Sequence, residues 1–123
     1  MKKYEITDAE LEIMKLLWEK GELTLNEIVE LLSKKEKKNK STVKTLLYRL
    51  IEKKSVKSII NKKKENTYRA EIEKEEYLKK ENESFLEKLY NGSTNKLLLN
   101  FVEEKKITKK DLEDLLNLIE SED

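Results

Sequence analysis

The sequence predicts a mainly α-helical fold with one small β-hairpin, and three observations carry that expectation. Apolar residues recur at three- and four-residue spacing through most of the 123-residue chain. Helix-starting patterns stand in front of several of these stretches. Only between residues 56 and 72 does the period shorten to two, around a central run of polar residues.

The first helix opens at Thr7-Asp8-Ala9-Glu10, where a Thr hydroxyl and a Glu three residues on can each satisfy a free N–H of the first turn. Leu11, Met14, Leu17 and Trp18 continue it on one face, and Gly21, which tolerates positive φ, stops it. Thr24-Leu25-Asn26-Glu27 repeats the capping pattern and opens a shorter helix with Ile28, Leu31 and Leu32 on one side. A lysine-rich connection runs from Lys34 to Lys40. The third helix starts near Ser41-Thr42, and Val43, Leu46, Leu47, Leu50 and Ile51 give it a single apolar stripe. Thr42, Lys44, Thr45, Tyr48 and Arg49 fall away from that stripe. Val56 to Ile60 and Asn66 to Ile72 read as strands, joined by the polar tip Asn61-Lys62-Lys63-Lys64-Glu65.

Beyond residue 72 the helical period returns. A segment of roughly 73–90 carries Tyr77, Leu78, Phe85, Leu86, Leu89 and Tyr90, and Asn91-Gly92-Ser93 breaks it. Leu97, Leu98, Leu99, Phe101 and Val102 mark a short helix dense in apolar residues. Thr108-Lys109-Lys110-Asp111 resembles another helix start, with an acidic residue favourable in the first turn. The last helix presents Leu112, Leu115, Leu116, Leu118 and Ile119. Two regions are expected, residues 1–71 and 72–123.

Charge separates the same two regions. Residues 1–71 hold 18 basic and 12 acidic side chains, net +6; residues 72–123 hold 9 and 14, net −5. Between 34 and 64 the excess reaches +11, with 13 basic residues against Glu36 and Glu52. Such an excess favours a polyanion through Coulomb attraction and counterion release, although a lysine run alone is more often a solvated surface. Most catalytic designs lack their parts. There is no Cys for a thiolate or disulfide, no His for a general base or imidazole ligand, and two glycines cannot build a phosphate-cradling loop. Glu75 and Glu76 are adjacent and so diverge on a helix. No enzyme, metal or other cofactor is expected. No apolar run of about 18 residues and no apolar leader is present, which predicts a cytoplasmic protein without membrane insertion.

Three helices followed by a two-stranded hairpin is the order of a winged helix-turn-helix domain. In that arrangement the third helix locks its apolar stripe onto the first two and leaves its other face free for the major groove of duplex DNA. Ser41, Thr42 and Thr45 can bond bases or phosphates, Lys44 and Arg49 can reach guanine edges or backbone oxygens, and Tyr48 shares their face. Lys62, Lys63 and Lys64 at the hairpin tip would lie across the flanking backbone or minor groove. Each residue also has a plainer reading: Ser41 as a helix cap, Lys44 and Thr45 as exposed helix residues, Tyr48 packed over its neighbours, the lysine tip solvated. The conjunction of a basic helix with a basic wing favours DNA. A winged helix that binds another protein, without sequence-specific DNA contact, is the alternative.

A region of fifty-odd residues, net acidic and with three apolar-faced helices, is too small for a stable core of its own. Its helices can pack back on the winged helix or pair with a second copy. The length of segment 73–90 favours a homodimer, through Tyr77, Phe85, Leu86, Leu89, Leu98, Phe101, Leu112, Leu115, Leu116 and Ile119. A dimer also sets two reading heads on a palindromic operator.

Four further stretches carry a family likeness: Tyr4-Glu5-Ile6-Thr7, Glu12-Ile13-Met14 with Leu17-Trp18, Lys44-Thr45-Leu46 with Arg49-Leu50, and Leu98-Leu99-Asn100-Phe101-Val102-Glu103. In them the chain resembles the BlaI/MecI family of penicillinase and methicillin-resistance repressors along nearly its whole length. The resemblance implies a dimeric transcriptional repressor of β-lactamase or antibiotic-resistance genes. It further implies cleavage at Asn100–Phe101 by a membrane sensor-protease triggered by extracellular β-lactam, after which the dimer weakens and transcription begins. From the residues alone, Asn100-Phe101 is a helix residue beside a packed aromatic. The chain departs from the family at Ser55, where a Gly is frequent, and near Lys40, where a Pro is frequent. It lacks the C-terminal cysteine motif of related copper-responsive repressors, which argues against copper sensing.

Overall fold

A computed structural model of the chain describes residues 5–35 and 38–121. Tyr4, and Glu36 and Lys37 of the lysine-rich connection, lie outside the described residues. The elements run α1 (Asp8–Lys20), β1 (Glu22–Thr24), α2 (Leu25–Leu32), α3 (Lys40–Glu52), β2 (Val56–Ile60), β3 (Asn66–Ala70), α4 (Lys74–Tyr90), α5 (Thr94–Glu103) and α6 (Lys109–Ser121). The chain divides into two compact units, Met1–Leu78 and Lys79–Asp123.

In the first unit both expected capping boxes form. Thr7 Oγ1 accepts the Glu10 N–H at 3.2 Å while Glu10 Oε1 accepts the Thr7 N–H at 2.9 Å. Thr24 and Glu27 repeat the exchange at 3.2 and 2.8 Å. Gly21 ends α1 with φ 92°, a backbone setting that suits a residue without Cβ. The sheet has three antiparallel strands in the order β1-β3-β2, one more than the sequence led us to expect. Three residues are too few for β1 to display an alternation, so it stands out only once paired with β3. β3 in turn stops at Ala70, because the Ile72 carbonyl leaves the ladder and accepts a hydrogen bond from Trp18 Nε1 at 3.0 Å.

One core closes this unit. Ile13, Met14 and Leu17 of α1 meet Ile28 and Leu32 of α2, the α3 stripe Val43, Leu46, Leu47 and Leu50, and Val56 and Ile72. Burying an aliphatic side chain of this size stabilises the fold by about 1.5–3 kcal/mol relative to exposure. Tyr77 belongs to the same core. Its ring is buried 5.4 Å from that of Trp18, so it is not available for the dimer surface where the sequence reading put it. Ile72 and Tyr77 also carry the boundary of the first unit past residue 71, to Leu78.

The second unit is built differently. Asn91 (φ 48°) and Gly92 (φ 80°) end α4, Ser93 caps α5, and Thr108 with Asp111 forms a reciprocal cap at the start of α6. Hydrogen bonds to the Thr108 N–H and the Thr108 side chain hold the Asp111 carboxyl below its ordinary pKa. No residue from 79 to 121 is buried.

Candidate nucleic-acid interface

The reading face of α3 is set by its cap and its stripe. Asn39 Oδ1 accepts the Thr42 N–H at 2.8 Å and starts the helix at Lys40, earlier than Ser41-Thr42. Ser41 is therefore not the cap. It sits in the first turn with its side chain exposed. An Asn three residues ahead of Thr42 was the available signal, because Asn is a favoured N-cap. It also fixes a helix start that has no Pro.

Four residues of the apolar stripe are buried on one side and Ile51 is half-buried, while Ser41, Thr42, Lys44, Thr45, Tyr48 and Arg49 are all exposed on the other. Tyr48 is 65% accessible, so it does not pack over its neighbours. Thr45 Oγ1 donates to the Ser41 carbonyl at 3.1 Å. Its lone pairs and methyl group remain for a base amino group or a thymine methyl. Among described residues, neither Lys44 nor Arg49 forms an ion pair.

The wing tip is an ordered turn, not a loose loop. Asn61 Oδ1 accepts the N–H groups of Lys63 and Glu65 at 2.9 and 3.0 Å, and the Lys64 N–H returns to the Asn61 carbonyl at 3.0 Å. Lys64 takes the left-handed position, φ 64°. The result is a tight hairpin end that presents Lys62, Lys63 and Lys64 to solvent. Asn61 shapes the site without having been singled out in the sequence.

Between α3 and the wing the chain turns at Lys54 (φ 62°), whose N–H reaches the Ile51 carbonyl, while the Ser55 N–H reaches that of Leu50. The left-handed residue is thus Lys54, and Ser55 is fully buried beside it. Lys53, the residue capping α3, turns back to α1. Its Nζ lies 2.6 Å from Glu10 Oε1 and 2.8 Å from the Glu5 carbonyl. Burial raises the Glu10 carboxyl, but the Lys53 hydrogen bond and charge, with the bonds from Thr7, outweigh it and hold the group below its ordinary pKa. This pair spans 43 residues of sequence, so no local pattern announces it.

In the second unit, Asn100 lies within α5. Its Nδ2 donates to Tyr90 Oη at 3.0 Å, and its carbonyl accepts the Glu104 N–H at 2.9 Å. The Phe101 carbonyl accepts the Lys106 N–H at 2.8 Å, so the Asn100–Phe101 bond sits inside a hydrogen-bonded helical turn. Phe85, Leu89, Leu98, Leu112, Leu115, Leu116 and Ile119 are exposed, and Leu86 and Phe101 half-buried. Among the described residues no group of carboxylates is placed to hold a metal ion, and no helix is long and apolar enough to cross a membrane.

This arrangement has relatives. Residues 6–121 match the family described as Penicillinase repressor. The chain belongs to the penicillinase repressor family. It is 35% identical over 119 residues to the penicillinase repressor of Bacillus licheniformis, covering 94% of this chain and 90% of that protein. It is 33% identical over 121 residues to the methicillin resistance regulatory protein MecI of Staphylococcus aureus strain N315, covering 96% and 95%. Among solved structures it is similar to the B. licheniformis BlaI monomeric form in complex with the blaP half-operator. That likeness has TM-score 0.54 and 33% identity, over 62% of this chain and 92% of that one. Reduced MarR from E. coli, at 18% identity and TM-score 0.51, shares the fold.

Proposed function

We propose that this chain is a homodimeric transcriptional repressor acting in the cytoplasm, with no catalytic role of its own. α3 reads the bases of a palindromic operator, and the Lys62–Lys64 wing tip holds the flanking backbone. The regulated genes are those of β-lactamase or antibiotic resistance. The observation that carries this reading is the two-faced α3: Val43, Leu46, Leu47 and Leu50 buried on one side, and six exposed residues able to donate or accept hydrogen bonds on the other. The BlaI half-operator complex supports duplex DNA as the ligand.

Relief of repression follows from cleavage between Asn100 and Phe101 by a membrane sensor-protease. α5 contributes apolar surface to the second unit, so cutting it there removes burial from both subunits of a dimer and lowers the effective concentration of paired reading heads. Because the bond lies in a hydrogen-bonded turn, the protease must first unwind the end of α5.

The test is a titration of the palindromic duplex that the chain selects from a randomised pool, against scrambled duplex, at several salt concentrations. Preference for the selected duplex, with a slope in log salt that shrinks when Lys62, Lys63 and Lys64 become Ala, is the expected result. Equal affinity for both duplexes would favour the protein-binding adaptor instead.

A further inference from the structure

α1 makes two directional polar ties to the parts that touch DNA in this reading. Near its start, Glu10 holds Lys53, the residue that caps α3, at 2.6 Å. Near its end, Trp18 Nε1 holds the Ile72 carbonyl, just past the second strand of the wing. Stability alone does not account for the first tie. The Glu10 side chain is fully buried, and its Oε2 meets no hydrogen-bond partner among the described residues. A buried ion pair of this kind is often no more stable than a well-packed apolar pair, and fixing one arrangement is its best-attested use.

The rest of the α3 contact sets which face turns inward but holds the fine rotation of the helix less tightly. Val43, Leu46, Leu47 and Leu50 are held by burial, which is non-directional and resists separation more than turning about the helix axis. Turning a helix by about 20° moves atoms at its surface, about 5–6 Å from the axis, by about 2 Å. A displacement of that size breaks a hydrogen bond to a base edge.

We propose that Glu10 and Lys53 are positioning residues for base recognition: without touching DNA, their ion pair fixes the rotation of α3 and, through Lys54 and Ser55, the departure of the wing. The proposal rests on the DNA-reading function above. Its test uses the full chain, the selected palindromic duplex and a scrambled duplex of equal length and composition. Glu10→Leu/Lys53→Met removes both charges together. This variant also loses the Glu10 half of the α1 capping box, so it is expected to stay folded with a lowered unfolding midpoint, and to bind scrambled duplex as the wild type does. Its preference for the palindrome falls about tenfold, the cost of one lost base contact.

Glu10→Gln, which keeps the side-chain shape and weakens the pair, is expected to lose preference in the same direction, and Lys53→Arg, which keeps the pair, to retain it. A folded double variant with full preference overturns the proposal; if that variant does not fold, full preference in Glu10→Gln overturns it. Should the wild type itself select no sequence, the DNA-reading function fails and this inference falls with it, an outcome separate from the previous two.

Discussion

α3 and α6 are both 13 residues long, and both carry a regular apolar stripe. Four residues of α3 are buried and none of α6. The same contrast separates the two units: the first closes a core around α1, α2, α3 and the sheet, while the second leaves every residue between 79 and 121 exposed or only half-buried. Periodicity shows which face of a helix seeks cover. What supplies the cover is decided elsewhere in the chain, or by another chain. A stripe such as Leu112, Leu115, Leu116 and Ile119 left in water is marginal for a helix of this length, and a second copy is the cover proposed here.

The contrast breaks most readily through the apolar residues. Leu47→Ala should destabilise the chain by about 2–5 kcal/mol in urea unfolding, whatever the protein concentration. Leu116→Ala should move a dilute sample by less than about 0.5 kcal/mol, as an exposed substitution does, yet weaken self-association. Equal losses in dilute solution would mean that α6 is covered within its own chain.

Arg49→Ala tests the reading face without touching the core. It should cost about 1–3 kcal/mol in binding the selected palindrome and leave the midpoint of unfolding in place. The caps give a smaller and cleaner comparison. Thr7→Ala should cost about 1 kcal/mol at every concentration, since α1 belongs to the closed core, whereas the effect of Thr108→Ala should grow as the dimer forms. Smallest is the pH effect. The Glu10 carboxyl is held below its ordinary value of 4.5, so its contribution is complete above about pH 4.5. It fades as pH falls through the lowered folded value. Glu10→Gln should flatten that part of the stability profile in acid-titrated unfolding.

Much of the fold was legible because its signals are local. Thr7, Thr24 and Thr108 marked helix starts, the α3 stripe marked its buried side, and the Lys62–Lys64 run marked the tip of a hairpin. The omissions share one physical cause, dependence on distant partners. β1 exists by pairing with β3, Tyr77 is buried by Trp18, and Lys53 is fixed by Glu10. Tyr77 shows the hazard most clearly. Its helical spacing matched the apolar residues that follow it in α4, but its partner lay nearly sixty residues earlier in the chain.

Hydrogen exchange of the full chain, followed over a wide range of protein concentration, tests the central division most directly. Amides of α1, α2 and α3 should be protected to the same degree throughout, and those of α5 and α6 should gain protection as concentration rises. Protection of α5 and α6 that is high and constant down to the most dilute sample would contradict the account, because those helices would then need no second copy.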